Sequence, residues 1–356
     1  MARVFENDKS IMKEPVFNRT DFILCRVPVP KGYPQSQTHV GVGLFNNKFF
    51  LTSSPFPNYQ RNKYLVYLLA IIKKISFGYL NFLYRGEDFE NPCLYIEEKR
   101  NEKGIPINFK LIGKSPLMQK PIDKYGLGSY CSDPDLFIMG DEFHILNRTS
   151  VRKKKDGSPK EKYETSVYLI QGTIDKDIFV KSGETVLFSE QDASPCLTYY
   201  NGEYVYFSLD TNSYNTGEEC FALYLRRSDN PQKGWSPKEV VTIVKNGYEP
   251  WHMSVFHNKE VLYAVIACVE KGKPGRCWSM LGKFSSDLSE LFIYNTPLTD
   301  FNSYRSSAFV TEDDRFLLYN SVVNECIKGG VSVDGREIVV ASMDFENLLS
   351  RISYCE

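Results

Sequence analysis

The sequence predicts an all-β chain folded as a five-bladed β-propeller with a short helical insertion in its first blade. Three observations carry that expectation. One strand–turn–strand pattern occurs five times, and after the first interval its starts lie about 50 to 60 residues apart. Aromatic residues make up 14% of the chain, with 23 Tyr and 24 Phe, which suits the pleated, half-buried surface of strands. Units of three or four strands at that period point to radial repetition, because unrelated sheets in a sandwich would not keep the same order of parts.

Residues 1–35 read as an N-terminal extension and 36–356 as the propeller. The start, MARVFENDKS, lacks the apolar core of a signal peptide, so the expected place of synthesis is the cytoplasm, with a virion as a later location. The first unit, THVGVGLFNNKFFLTSS, turns at Asn46-Asn47. An apolar insertion at about 60–85 follows, with YLVYLLAIIKKISFGYLNFLY over residues 64–84. Lys73 and Lys74 interrupt it at the middle, where charge is costly in a bilayer. It therefore reads as short helix packed on the body, or as a docking element for a protein partner, and not as a membrane span.

The remaining units follow in order. SDPDLFIMGDEFHILNR turns at Gly140-Asp141, and ASPCLTYYNGEYVYFSLD turns at Asn201-Gly202. WHMSVFHNKEVLYAVIA turns at His257-Asn258, and YRSSAFVTEDDRFLLYNS turns at Asp313-Asp314. Asn-Gly is the strongest of these turn signals, since both residues accept the positive φ of a type I′ hairpin. A third strand follows each hairpin: NPCLYIEEK, TSVYLIQGTI, CFALYLRRSDN, CWSMLGKFSSD and EIVVASMDF. The basic loop at 151–164 reads as a solvated hairpin tip.

In a propeller the first strand of each blade lines the central channel. Residues just before those strands, scattered in sequence, should share one funnel. They are His39, Asp133, Asp135, Asp192, Glu249, Trp251, His252, Tyr304 and Arg305. Asp133 and Asp135 are either site carboxylates or Asx-turn caps of a strand. Trp251 is either a stacking platform for a sugar or core, and His252 either a ligand contact or a packed ring. Arg305 offers a planar fork to a carboxylate or to sugar hydroxyls, or forms an internal ion pair with Asp133, Asp135 or Glu249.

The 43 basic and 44 acidic residues give a net charge of −1, which argues against a nucleic-acid backbone as partner. The nine cysteines form no C-x-x-C pair and read as reduced, buried thiols. No cofactor motif and no metal motif appears, so neither group is expected.

SDPDLFI, SPCLTYYNGEYVYFS, EPWHMSVF and YRSSAFV, taken together, resemble the five-bladed propellers of glycoside hydrolase families 43 and 32. SSPFPN (53–58) with ENPCLY (90–95) resembles a subgroup found among phage and bacterial surface-polysaccharide proteins. The resemblance covers residues 36–350 or so and implies an oligosaccharide or polysaccharide partner. It also implies three carboxylates: a general base in blade one, a pKa-tuning aspartate in blade two and a general acid in blade three. Blade two supplies Asp133 or Asp135, but blade one has His39 at its start and blade three has Ala193-Ser194, with Asp192 and Glu190 nearby. Glu249 is then the candidate surviving acid. The expected function is glycan binding by a hydrolase-like propeller with an eroded catalytic site. A structural or adhesion component of a phage tail or virion is the first alternative, and an active glycosidase the second.

Overall fold

A computed structural model describes residues 14–33, 36–56, 68, 71, 90–126, 129–153, 162–190, 192–210, 222–244, 248–270, 273–328 and 331–352. Among these, the chain is an all-β protein with the arrangement of a propeller. A two-residue strand, β1 (Ile23–Leu24), precedes the first meander, β2 (Ser36–Phe45), β3 (Lys48–Phe56), β4 (Cys93–Arg100) and β5 (Pro106–Leu111). A short helix, α1 (Pro121–Tyr125), leads to the second meander, β6 (Tyr130–Met139), β7 (Glu142–Lys153), β8 (Lys162–Asp175) and β9 (Ile178–Phe188).

Next come β10 (Ala193–Tyr200), β11 (Glu203–Asp210), β12 (Ala222–Ser228) and β13 (Glu239–Val244), then β14 (Tyr248–Asn258), β15 (Val261–Glu270), β16 (Lys273–Phe284) and β17 (Glu290–Pro297). These two meanders join into one eight-stranded sheet through parallel pairing of their outer strands, with Thr242 opposite Glu290. The last sheet holds β18 (Ser303–Val310), β19 (Arg315–Lys328) and β20 (Val331–Asp344), followed by α2 (Phe345–Arg351). Its outer member is β1, with Ile23 opposite Val340.

The first strands form a closed ring: β2 packs on β6, β6 on β10, β10 on β14, β14 on β18, and β18 on β2. An apolar core fills the wedge between each neighbouring pair of meanders. Phe50, Leu94, Phe143 and Ile170, for example, fill the wedge between the first and second. Phe207, Leu223, Met253 and Leu291 fill that between β10–β13 and β14–β17. Stability thus comes from burial between sheets, at roughly 25 cal/mol for each Å² of apolar surface removed from water.

The expected turns at Asn46-Asn47 and Asn201-Gly202 form, and all four residues have positive φ. The fourth turn lies two residues beyond its expected place. His257 and Asn258 still pair, with Leu262 and Val261, and Lys259 takes the left-handed position at φ 55°. His257 and Asn258 thus stay in the ladder, and Lys259-Glu260 make the turn.

The insertion expected at 60–85 lies outside the described residues, apart from Leu68 and Ile71, and so does most of the basic tip at 151–164. Among the described residues no helix is long and apolar enough to cross a membrane. Cys25, Cys93, Cys131 and Cys196 are buried thiols, and burial raises the pKa of each.

Candidate functional site

Each first strand breaks register near its start. The shifts fall between Thr38 and Gly41, Ser132 and Asp135, Ala193 and Cys196, Pro250 and His252, and Ser303 and Arg305. Such bulges re-aim a side chain that the pleat would otherwise send to the sheet face. His39 (φ 55°), Asp133 (φ 55°) and Ser194 (φ 51°) occupy left-handed backbone at three of them. That conformation costs a non-glycine residue on the order of 1 kcal/mol or more, and it persists only where the surroundings over-determine it. Here the bulges turn these residues toward the ring axis.

Asp133 is fully buried at the centre. Its Oδ2 lies 3.1 Å from Arg148 Nε and accepts the Ser194 amide at 3.3 Å. Its Oδ1 faces His39 Nε2 at 3.2 Å and His252 Nδ1 at 3.6 Å. Burial is the largest single effect and works against the charged carboxylate, but Arg148, His252, His39 and Arg305 together outweigh it and hold the carboxyl well below the usual range. On the far side of His39, Nδ1 lies 2.9 Å from Glu90 Oε2. Burial drives the His39 pKa down to about 3, and Arg336, Arg305 and Arg148 add to the effect against the pull of Asp133. His252 is likewise lowered, first by burial.

Asp135 is a second, separate pair. Its Oδ1 meets Arg305 Nη2 at 3.3 Å, and its Oδ2 accepts the Leu197 amide at 3.3 Å. Burial wins over these partners, so the Asp135 pKa is raised. The two carboxyls of one SDPD motif are therefore driven in opposite directions. Arg305 is completely buried, the largest such side chain among the described residues, and its Nε and Nη1 have no hydrogen-bond partner among them.

Tyr304 is half-buried and lies over both imidazoles, with ring centroids 5.1 Å from His39 and 4.7 Å from His252. Arg336 stacks on its other neighbours: the guanidinium carbon is 3.8 Å from the Tyr304 centroid and 3.9 Å from that of Phe56. Arg336 also donates to Thr38 Oγ1 at 2.8 Å.

Of the residues expected to converge, His39, Asp133, Asp135, His252, Tyr304 and Arg305 do so. Asp192 is held elsewhere. Lys238 Nζ lies 2.6 Å from its Oδ1, and Tyr206 donates to its Oδ2 at 3.2 Å, so its charge is spent within its own meander. Trp251 packs against Ala267, Val269 and Cys277 as scaffold, while its ring still meets His252 at 5.8 Å. Glu249 is half-buried opposite Val269, beyond the bulge that aims His252 inward. Arg305 forms one of the expected internal pairs, with Asp135, and its burial closes it to direct contact with a sugar.

Glu90, Arg148 and Arg336 belong to the cluster without having been singled out from sequence. Arg148 lies in a second strand directly opposite Ser132 of the SDPD motif. That pairing is the signal that could have found it. A cavity of about 1150 Å³ lies elsewhere, at the turn ends of β10 and β14 among Tyr199, Tyr200, His257 and Phe284. At about 3.3 Å per residue along a strand, that is roughly 15–20 Å from the cluster. The convergent charges identify the ring centre, not that cavity, as the site.

No protein-family model matches the chain, and no curated protein matches it. Solved structures do match in fold. An N-acetylgalactosamine deacetylase from F. plautii, solved with blood group B trisaccharide, aligns with a TM-score of 0.60 at 13% identity, over 90% of this chain and 93% of that one. The GH43_1 enzyme from Xanthomonas citri, solved with xylose, gives 0.52 at 9% identity, over 90% of each chain. A family 117 glycoside hydrolase from Zobellia galactanivorans gives 0.50 at 12%, over 91% and 90%. The chain has the fold of glycoside-hydrolase-type propellers.

Proposed function

We propose that the chain is a five-bladed propeller that binds an oligosaccharide or polysaccharide over the ring centre without two-carboxylate hydrolysis. The blade count rests on the closed ring of first strands and the apolar wedge between each neighbouring pair. The binding reading is supported by the carbohydrates present in two of the similar structures, a trisaccharide and xylose.

One observation carries the rest: the central carboxylates are already engaged. A glycosidase of this type needs a proton donor and a base on either side of the scissile bond, about 5 to 10 Å apart. Asp133 is paired with Arg148, Asp135 is paired with Arg305, and both are buried. The blade-one and blade-three positions carry His39 and Ser194, and the Ser194 hydroxyl is exchanged with Met253, accepting its N–H at 2.9 Å and donating to its carbonyl at 3.0 Å.

Contact with a sugar falls to the half-buried rim, chiefly Tyr304 and Arg148. A glycan array combined with a reducing-sugar assay on the same glycans tests this. Binding without release of reducing ends is expected, and Tyr304→Ala should weaken it by about 1–3 kcal/mol, or roughly 5- to 150-fold, through the lost ring face. Robust turnover abolished by Asp133→Asn or Glu249→Gln would replace binding with hydrolysis.

A further inference from the structure

The central cluster has a feature that glycan binding does not explain. His39 Nε2, His252 Nδ1 and Asp133 Oδ1 are buried, lie together, and have no hydrogen-bond partner among the described residues. The contacts of 3.2 and 3.6 Å between them lack the alignment of hydrogen bonds. Their lone pairs face a shared space instead of one another's protons. Leaving such groups unsatisfied in a dry site costs about 1–3 kcal/mol each.

We propose that His39, Asp133 and His252 form a binding site for a divalent transition metal ion of the zinc class. The spacing suits this. Bonds of about 2.0–2.2 Å at tetrahedral angles set ligand atoms about 3.3–3.5 Å apart. The observed separations of 3.2 and 3.6 Å bracket that value, and all three ligand atoms lie within 4.8 Å of one another. Two imidazoles and one carboxylate select a transition ion over calcium or magnesium, which take oxygen ligands.

The surroundings are arranged for the same purpose. Asp133 gives its Oδ2 to Arg148 and the Ser194 amide, which leaves Oδ1 as the single ligand atom. At His39 Nδ1 the 2.9 Å contact with Glu90 is much shorter than the 3.5 Å contact with the Asp133 amide. With a metal bound at Nε2, the nearer Glu90 carboxylate would take the Nδ1 proton in place of the long Asp133 amide contact. A carboxylate behind a ligating histidine is the usual outer partner of such a site. With three protein ligands a fourth position stays open to water or to a ligand oxygen, beneath the half-buried ring of Tyr304.

The test uses the full chain, stripped with a chelator and returned to metal-free buffer. Titration calorimetry with Zn²⁺, followed by elemental analysis after gel filtration, should show a single retained ion and a raised Tm. His252→Ala should weaken binding by more than about 100-fold, and Glu90→Gln, which keeps the ligands, by about 10- to 100-fold. Should a variant fail to fold, Co²⁺ in the wild-type chain decides, through the intense visible absorption of a tetrahedral site. A stripped, folded wild-type chain that takes up none of Zn²⁺, Co²⁺, Mn²⁺ or Ni²⁺ would overturn the proposal. So would unchanged affinity in a folded His39→Ala/His252→Ala variant, or binding of Ca²⁺ or Mg²⁺ alone. Zinc retention by a chain that binds no glycan would leave this inference standing and remove the glycan reading.

Discussion

Single buried groups dominate what substitution will do to this protein. Arg305→Ala would leave the Asp135 carboxyl buried without its cation, a change that typically costs about 3–5 kcal/mol. Urea denaturation should show that loss, and Arg305→Leu combined with Asp135→Leu should recover much of it. His144 sets a separate pH response. It is fully buried, with Gln171 Nε2 at 3.4 Å, exposed Glu142 at 3.5 Å and the Phe137 and Tyr204 rings beside it. Burial lowers its pKa from 6.5 to about 4. The unfolded chain therefore binds the proton more readily. The contribution is complete above pH 6.5 and is lost as pH falls toward about 4, by on the order of 3 kcal/mol. Thermal melts of wild type and His144→Gln across that range should converge at the acid end. The converging residues were legible from sequence because each stands at the entry of a repeat unit; the first strands begin a few residues earlier than expected and include them. Arg148 and Glu90 were not, because neither stands at such an entry: Arg148 reaches the centre from a second strand opposite Ser132, and Glu90 from the segment before β4, against His39.

At the scale of elements, the hairpins were legible and the bulges were not. Asn201-Gly202 declares its turn through local backbone chemistry, whereas the shift between Ser132 and Asp135 exists only relative to β7. The strand β1 was missed for a related reason: two residues carry no periodicity, and only pairing with β20 makes them a strand. Close packing between elements also fixes Gly172, at a register shift between β8 and β9. A Cβ there would lie 2.5 Å from both Phe179 Cζ and the Val180 carbonyl oxygen. The backbone contact cannot yield as a side chain would, so Gly172→Ala should destabilise by about 1–3 kcal/mol, measured by chemical denaturation.

Over the whole molecule, the segment before the first meander binds neighbouring sheets together. Val16 and Phe17 donate to the carbonyls of Pro297 and Leu298, β1 pairs with β20, and Arg26 exchanges hydrogen bonds with β5. Phe17 is 1% exposed and packs on Phe22 and Phe316. Phe17→Ala should therefore cost about 3–5 kcal/mol, although the residue lies outside the repeats. A denaturation midpoint unchanged by this substitution would show that the segment is a passive tail.

That seam also gives the molecule an order in time. The Arg336 amide donates to Ser36 Oγ at 2.7 Å across 300 residues of sequence. Joining points so far apart costs roughly 5 kcal/mol or more of chain entropy, and nothing local repays it in advance. Each meander can form from its own hairpins, but the join must wait for the last one. Until then the open edge of β20 is a template for any matching strand, including the β1 of a second chain at high concentration. Refolding should thus show a late, concentration-sensitive phase that dilution favours, with the strap of each chain returning to its own ring.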